Sequence, residues 1–314
     1  MIAIEEIEAA RERIADVAVR TPLVRLQADS DAEIWLKLET LQPIASFKIR
    51  GAANAVRRAD AEQLQAGLVT ASAGNMGRGV AWLARELGLP ATIAVPDHAP
   101  QTKVDAIERL GGTVLRVPYA DWWRAIETSR VDGVEGFFVH PVSDVAVMAG
   151  NGTIGLEILE DLPEPGTVLV PYGGGGLVTG IASALRARSP GTSIYAVEPA
   201  TAAGLNGALA AGEPTEVDFQ PSWVDGSGSP RVLPEMFARV RELVDGAFTA
   251  SLEETAAAVR LLAERTRIVA EGAGGLALAA ALAGRAGTGR VVCVVSGGNI
   301  DLSTLVPILE GRTP

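Results

Sequence analysis

Lysine is scarce in this chain of 314 residues: only Lys37, Lys48 and Lys103 occur, and arginine supplies the other basic side chains. Lysine and arginine together number 27 against 38 acidic residues, so the net charge is −11. A surface that acidic repels phosphate backbones, and no basic cluster interrupts it. We therefore expect no binding to nucleic acid.

Cysteine and histidine are almost as rare, which limits disulfide and metal chemistry. The single cysteine, Cys293, cannot form an internal disulfide, and the apolar run Val291–Val295 around it predicts a buried structural thiol. Two histidines are too few for a histidine-rich metal centre. We expect His140 to cap a loop rather than to take part in catalysis.

The sequence also lacks an uninterrupted apolar run of membrane-spanning length. The longest stretch without a charged residue, 165–185, is interrupted by Pro171 and four successive glycines. The N-terminal residues 1–20 form a charged amphipathic pattern rather than a signal peptide. With 48% hydrophobic and 21% charged residues, the composition is that of a globular protein. We expect a soluble, cytoplasmic protein that does not contact membranes.

Short β-rich runs alternate with helical patterns along most of the chain. The predicted strands are Ile34–Leu38, Leu68–Ala71, Thr92–Val95, Thr113–Val117, Val168–Pro171, Ser193–Val197 and Val291–Val295. The clearest predicted helices are Met76–Leu87, Thr102–Leu110, Leu177–Ala187 and Leu252–Arg267. This alternation, with continuous apolar strands, predicts an α/β protein built on parallel sheet.

Glycine-rich turns follow three predicted strands, at Ala73–Gly77, Gly173–Gly176 and Ser296–Asn299. Ligands of open α/β sheets bind beyond the carboxyl ends of the strands, so these turns predict one composite site. The four glycines before Leu177 suit a phosphate, since they let backbone N–H groups approach an anion at a helix start. The dinucleotide pattern G-x-G-x-x-G fails, because its sixth position is Val178 or Thr179. A single phosphate is therefore preferred.

The three lysines differ in their surroundings. Lys103 belongs to a helical pattern and is expected to be solvated, and Lys37 alternates with apolar residues like a surface residue of a strand. Lys48 instead follows the aromatic Phe47 at the start of a helix. Both features lower the pKa of an amine and favour a neutral nucleophile, although an ion pair at a helix terminus explains the position equally well.

Four segments together resemble one enzyme family. Ser46–Ala52, Ser72–Gly77, Gly173–Leu177 and Ser296–Asn299 occur in the order and spacing of the fold-type II pyridoxal-phosphate enzymes. The match is most similar to the serine/threonine dehydratase branch and extends from residue 21 to residue 301. The resemblance implies the two-domain α/β fold of the tryptophan synthase beta type, with open, mostly parallel sheets. It implies a large cofactor-binding domain of residues 1–61 and 146–314 and a small inserted domain of residues 62–145.

The resemblance also implies roles for individual residues. Lys48 would bind pyridoxal 5'-phosphate covalently and act as the base at the substrate Cα, with Phe47 beside the cofactor ring. Asn75 would donate to the ring's phenolic oxygen, and Ser296 would meet the pyridine nitrogen. The phosphate would lie against Gly173, Gly174, Gly175, Gly176 and Leu177. The substrate carboxylate would lie against Ser72, Ala73, Gly74, Asn75 and Met76.

The sequence departs from the family pattern at three informative positions. Ala73 replaces the serine that serves as a second base in racemases, so racemisation is not expected. Met76 replaces a common histidine, which leaves the preferred substrate open. The family's divalent-cation ligands fall on Glu198, Ala202 and Gly204, and because the last is glycine we expect no metal.

The expected function is the elimination of water from L-threonine, L-serine or a related β-hydroxy amino acid, giving a 2-oxo acid and ammonia. Alternatives of the same fold are a serine racemase and a β-replacement synthase. A nicotinamide-dependent oxidoreductase and a non-catalytic phosphate-binding regulator fit less well. We expect a homodimer whose only other partner is a small amino acid. Because no regulatory domain follows Pro314, feedback by an amino acid is not expected.

Overall fold

A computed structural model describes all residues, 1–314. Its strands are β1 (Leu23–Arg25), β2 (Ala32–Leu38), β3 (Leu68–Ala71), β4 (Ala91–Pro96), β5 (Thr113–Val117), β6 (Phe137–Phe138), β7 (Thr167–Pro171), β8 (Ser193–Pro199), β9 (Gly246–Ala250) and β10 (Gly289–Val295). Its helices are α1 (Ile4–Arg13), α2 (Lys48–Arg58), α3 (Ala61–Leu64), α4 (Asn75–Leu87), α5 (Gln101–Glu108), α6 (Tyr119–Thr128), α7 (Val145–Asp161), α8 (Gly176–Arg188), α9 (Gly204–Ala211), α10 (Pro234–Val240), α11 (Leu252–Thr266), α12 (Gly272–Leu282) and α13 (Leu302–Leu309).

The strands form two separate sheets. The larger has the order β1-β2-β10-β7-β8-β9, in which only β1 pairs antiparallel to its neighbour. The smaller has the order β5-β4-β3-β6 and is entirely parallel. The predicted α/β fold with open, mostly parallel sheets is therefore confirmed. No helix has the length and apolarity needed to cross a membrane.

All seven predicted strands and all four predicted helices form, with ends displaced by at most two residues. The sequence did not predict the short strands β1, β6 and β9 or several of the helices, among them α7 and α12, which are rich in apolar and small residues. The side chain of Cys293 is fully buried, as expected.

Small residues bring α2 and α7 together beneath the site. A Cβ on Gly150 would lie 2.4 Å from the carbonyl oxygen of Arg50, and a Cβ on Gly51 would lie 2.7 Å from Val147 Cγ1. The two helices can cross this closely only because these positions have no side chain. This close contact helps to fix the position of α2, whose first residue is Lys48.

The expectation that Lys37 lies on the surface is wrong. Its side chain is fully buried, and Nζ lies 2.5 Å from Glu157 Oε2. Arg50 joins Glu157 at 2.7 Å and Glu39 at 2.8 Å, so two cations and two carboxylates pair in the core. Strand alternation did not reveal this partner, because Glu157 is 120 residues away in sequence.

Candidate active site

Lys48 is the first residue of α2 and is partly buried. Its Nζ donates to the carbonyl oxygen of Pro141 at 2.7 Å and lies 5.2 Å from the centre of the Phe47 ring. Burial lowers the pKa of Lys48 to about 8, against the opposing attraction of Glu271. This amine is therefore substantially neutral under mildly alkaline conditions, as a nucleophile requires.

His140 organises the loop that receives Lys48. Its Nδ1 accepts from the backbone N–H groups of Val142 at 3.0 Å and Ser143 at 2.8 Å, and its Nε2 lies 2.9 Å from Ile126 O. Two donors at Nδ1 require a neutral ring that carries its proton on Nε2, and burial lowers the pKa of His140 accordingly. The predicted loop-capping role is confirmed.

The glycine-rich turn after β7 has the properties of an anion cradle. The backbone N–H groups of residues 173–178 donate no hydrogen bond to any protein atom, and the first helical bond in this region is that of Thr179 to Gly175 O. These N–H groups lie at the N-terminus of α8, where the helix dipole also favours negative charge. The turn can therefore bind a phosphate without breaking any bond that the protein already makes.

Each glycine of this turn is also required by its close neighbours. A Cβ on Gly174 would lie 2.5 Å from Val142 Cγ2, and a Cβ on Gly176 would lie 2.6 Å from Val142 O. Gly173 similarly faces the carbonyl oxygen of Gly226 at 2.7 Å, and Gly175 adopts φ +93°. Side chains at these positions would overlap the atoms that surround the turn. Leu177 buries its side chain in the core and contributes only its backbone to the turn.

The turn after β3 offers a second group of free N–H donors. Ser72 Oγ accepts from the N–H of Gly74 at 3.2 Å, whereas the N–H groups of Ala73, Asn75 and Met76 make no hydrogen bond. They surround the N-terminus of α4, which suits a carboxylate. The side chain of Met76 is buried in the core, so its identity reaches a ligand here only through the backbone.

Asn75 links this turn to two residues that sequence reasoning did not assign to the site. Its Nδ2 donates to Glu271 Oε1 at 2.8 Å, and its Oδ1 accepts from Asn299 Nδ2 at 2.7 Å. Burial raises the pKa of Glu271 to about 7. Glu271 is the residue directly before α12, in the segment Glu-Gly-Ala-Gly-Gly. Nothing else in the sequence marked this carboxylate.

Ser296 directly follows β10 and is buried, and its hydroxyl makes no hydrogen bond in the structure. Its carbonyl oxygen accepts from the N–H of Phe47 at 3.0 Å, which ties the end of the strand to the start of α2. These bonds and contacts thus bring the predicted residues on α2 and on the three turns together beyond the carboxyl ends of β3, β7 and β10. The hydroxyl is available for a ligand atom.

Glu198 makes no hydrogen bond to the residues described above, because other groups of the protein bind its carboxylate. Its carboxylate accepts from the backbone N–H groups of Leu205 and Asn206 and from Asn206 Nδ2, each at 2.9 Å. Burial raises the pKa of Glu198. In this arrangement the side chain caps the N-terminus of α9.

The donors and the amine together fit a phosphate-bearing aldehyde. The cradle supplies unoccupied N–H groups for the phosphate, Lys48 supplies an amine of lowered pKa, and Asn75 and Ser296 supply polar groups for an aromatic ring. The turn after β3 supplies further N–H groups for a carboxylate. These features match the donor set that pyridoxal 5'-phosphate and an amino acid require.

Comparisons with known proteins agree with this geometry. A family model described as pyridoxal-phosphate dependent enzyme matches residues 14–297. An L-threonine ammonia-lyase of Geobacter sulfurreducens is 39% identical, over 97% of this chain and 77% of its own length.

Two solved structures are similar in fold. The processed form of threonine deaminase isoform 2 from Solanum lycopersicum has a TM-score of 0.88 at 33% identity, covering 98% of this chain and 92% of that one. Maize serine racemase has a TM-score of 0.87 at 31% identity, covering 98% of this chain and 97% of that one.

Proposed function

The chain belongs to the pyridoxal-phosphate-dependent enzymes, and from this membership we propose that it is a dehydratase of L-threonine or L-serine. The products are a 2-oxo acid and ammonia. The observation that carries the proposal is the amine of Lys48, with its lowered pKa, in one cluster with two turns whose backbone N–H groups are unoccupied. The relatives named L-threonine ammonia-lyase support it.

Pyridoxal 5'-phosphate, once bound, withdraws electrons from the substrate Cα. Lys48 would hold it covalently, Phe47 would lie beside its ring, and the donors of the Gly173–Leu177 turn would bind its phosphate. Asn75 has an amide hydrogen left after its bond to Glu271, and that hydrogen is available for the phenolic oxygen. The free hydroxyl of Ser296 would meet the pyridine nitrogen.

The protein's own residues then orient the substrate and move the protons. The backbone N–H groups of Ala73, Asn75 and Met76, with the hydroxyl of Ser72, would bind the substrate carboxylate. Lys48 would remove the proton from Cα, because the lowered pKa of its amine increases the fraction that is neutral and able to accept a proton. A hydroxyl group at Ser296 stabilises positive charge on a ring nitrogen less than a carboxylate does, which favours prompt loss of the β-hydroxyl over a long-lived carbanion.

The proposal is tested by supplying the purified protein with L-threonine and, separately, L-serine, and measuring the 2-oxo acid and ammonia released. We expect equal amounts of the two products. We also expect an absorption band at the edge of the visible range, which borohydride abolishes. Protein stripped of cofactor is the control and should regain both properties when pyridoxal 5'-phosphate is added. The band without product release from either amino acid would contradict the proposal.

We also propose that residues 62–145 form a small domain inserted into a large domain of residues 1–61 and 146–314. In support, the four-stranded sheet is built wholly from residues 68–138.

We further propose a cytoplasmic homodimer. The apolar side chains of Leu302, Val306 and Leu309 on α13 are 72%, 49% and 42% exposed, and a second copy would cover them. Light scattering should give twice the mass of the chain.

A further inference from the structure

Arg78 lies in α4 three residues after Asn75 and lines a polar cavity of about 350 Å³. The other walls of the cavity are α5 and the segment that follows β10. The one side-chain hydrogen bond of Arg78 is donated by Nη1 to Asn299 Oδ1. The guanidinium makes no salt bridge, so the hydrogen bond to Asn299 is the polar contact that fixes its position.

This bond and the bond from Asn299 Nδ2 to the carbonyl oxygen of Ile44 together fix the orientation of the Asn299 amide, and through it that of Asn75. A guanidinium can only donate, so it holds Asn299 with the acceptor Oδ1 toward Arg78. Asn299 Nδ2 then donates to Ile44 O at 2.8 Å and to Asn75 Oδ1 at 2.7 Å. As a result Asn75 presents its Nδ2 to Glu271 at 2.8 Å.

We propose that Arg78 is a positioning residue, which acts through Asn299 to keep the donor end of the Asn75 amide toward the cofactor. This inference rests on the proposed contact between Asn75 and the phenolic oxygen. Glu271 takes one of the two hydrogens on Asn75 Nδ2, and the second stays available. If both amides turned over, Asn75 would present an acceptor to Glu271 and to the cofactor oxygen.

The reversed arrangement is suppressed as long as Glu271 is ionised, because a carboxylate repels the Asn75 oxygen. Burial brings the pKa of Glu271 to about 7, so both of its protonation states occur near neutrality. The charged groups that face it are Arg78 and Lys48, which favour the carboxylate, and Asp225, which opposes it. Removing Arg78 therefore removes both the donor that orients Asn299 and a charge that keeps Glu271 ionised.

The test compares Arg78→Met with Arg109→Met, which removes an arginine of the same cavity whose guanidinium makes no hydrogen bond. Cofactor affinity is measured by titrating the apo-protein with pyridoxal 5'-phosphate, one pH unit below and one above neutrality. We expect Arg78→Met to weaken affinity about tenfold, the size of one lost hydrogen bond to a charged group. The loss should be larger at the lower pH, where Glu271 is protonated. Arg109→Met should bind as the parent does, and Arg78→Lys should recover part of the loss.

Equal affinity for Arg78→Met and the parent at both pH values would overturn the inference, as would equal losses in the two methionine variants. The thermal midpoint of each apo-protein serves to separate a folding defect from an orientation effect. If Arg78→Met fails to fold, Asn299→Asp tests the same relay, because aspartate accepts from Arg78 and cannot donate to Asn75. We expect it to weaken cofactor binding at neutral pH; unchanged binding overturns the inference.

Asn75→Ala distinguishes this inference from the role on which it rests. If Asn75→Ala leaves cofactor affinity unchanged, the contact of Asn75 with the cofactor is wrong, and the inference fails with it. If Asn75→Ala weakens affinity and Arg78→Met does not, only the role of Arg78 is wrong.

Discussion

Lys48 is the one lysine whose amine reaches the candidate site. Lys37 is buried against Glu157, and Lys103 pairs with Asp225 at 2.8 Å. Borohydride reduction of the holoenzyme followed by peptide mapping should therefore label Lys48. Lys48→Ala should abolish the absorption band and turnover, and Lys103→Ala should retain both. A label on Lys37 or Lys103 would show that the assignment is wrong.

The lowered pKa of Lys48 predicts how its reactivity depends on pH. An amine is nucleophilic when neutral, so its rate of reaction with the cofactor aldehyde should rise with pH, with a midpoint at about 8. Glu271 raises the pKa of Lys48 by its negative charge, so Glu271→Gln should move the midpoint to lower pH. Stopped-flow absorbance of apo-protein mixed with cofactor measures both midpoints. A midpoint near the pKa of an ordinary lysine, or an upward shift in the variant, would contradict the prediction.

The sequence predicts site residues that belong to motifs, and it gives no sign of residues that meet them by contact across the fold. The helix start at Lys48 and the glycine-rich turns are visible as local patterns, whereas the roles of Asn75 and Ser296 are implied by the family resemblance. Glu271 meets Asn75 across 196 residues of sequence, and no local pattern marks such a pair. The same reason explains the error at Lys37 on β2, whose buried amine is paired with a carboxylate from the distant helix α7.

At the scale of the element, the glycine turn before α8 depends on its fit against Val142. A Cβ on Gly174 would lie 2.5 Å from Val142 Cγ2, so Gly174→Ala must displace the turn and its N–H groups. We expect cofactor affinity to fall about tenfold or more, as an order of magnitude for such overpacking. Val142→Ala in the same chain removes both Cγ atoms and should restore most of the affinity.

Gly191→Ala is the matched control, since no atom lies within 4 Å of its added Cβ and its φ is ordinary. Cofactor titration and the thermal midpoint of the apo-protein are measured for each variant. If Gly174→Ala lowers the stability of the apo-protein as much as that of the holoenzyme, the turn is structural and does not bind the phosphate.

The seven strands and four helices that the sequence predicts were recognisable because the spacing of their apolar residues is a local property. Helix α12 has no polar face, since it is buried on all sides between the large sheet and α11, and its residues are small. Periodicity cannot distinguish such a helix from a buried strand or a glycine-rich loop. The close approach of Gly274 to Gly297 O, at 2.4 Å for an added Cβ, becomes visible only in three dimensions.

At the scale of the whole molecule, the proposed site brings together elements from both sheets. Lys48 belongs to α2 and Ser296 to the end of β10 in the large sheet, whereas Ala73 and Asn75 follow β3 of the small one. Lys103 of α5 and Asp225 join the two parts by a further ion pair. Whether the site can racemise its substrate as well as eliminate water therefore depends on whether the turn after β3 supplies a second acid or base.

Ala73 supplies neither, so we predict that the protein eliminates water from L-serine and does not racemise it. Racemisation requires a proton to reach the substrate Cα on the face opposite Lys48. In the racemases of the family that this sequence resembles, a serine at the position of Ala73 serves that face. Elimination requires proton transfer on the Lys48 face alone, because the hydroxyl leaves from the neighbouring carbon. In its proposed contact with the pyridine nitrogen, the hydroxyl of Ser296 would make the ring a weaker electron sink than a carboxylate would, which would shorten the time available for reprotonation. With L-serine in deuterated water we expect pyruvate and ammonia, and negligible D-serine by chiral chromatography. D-serine formed at a rate comparable with pyruvate would refute this account, and Ala73→Ser tests whether the missing group alone introduces the second activity.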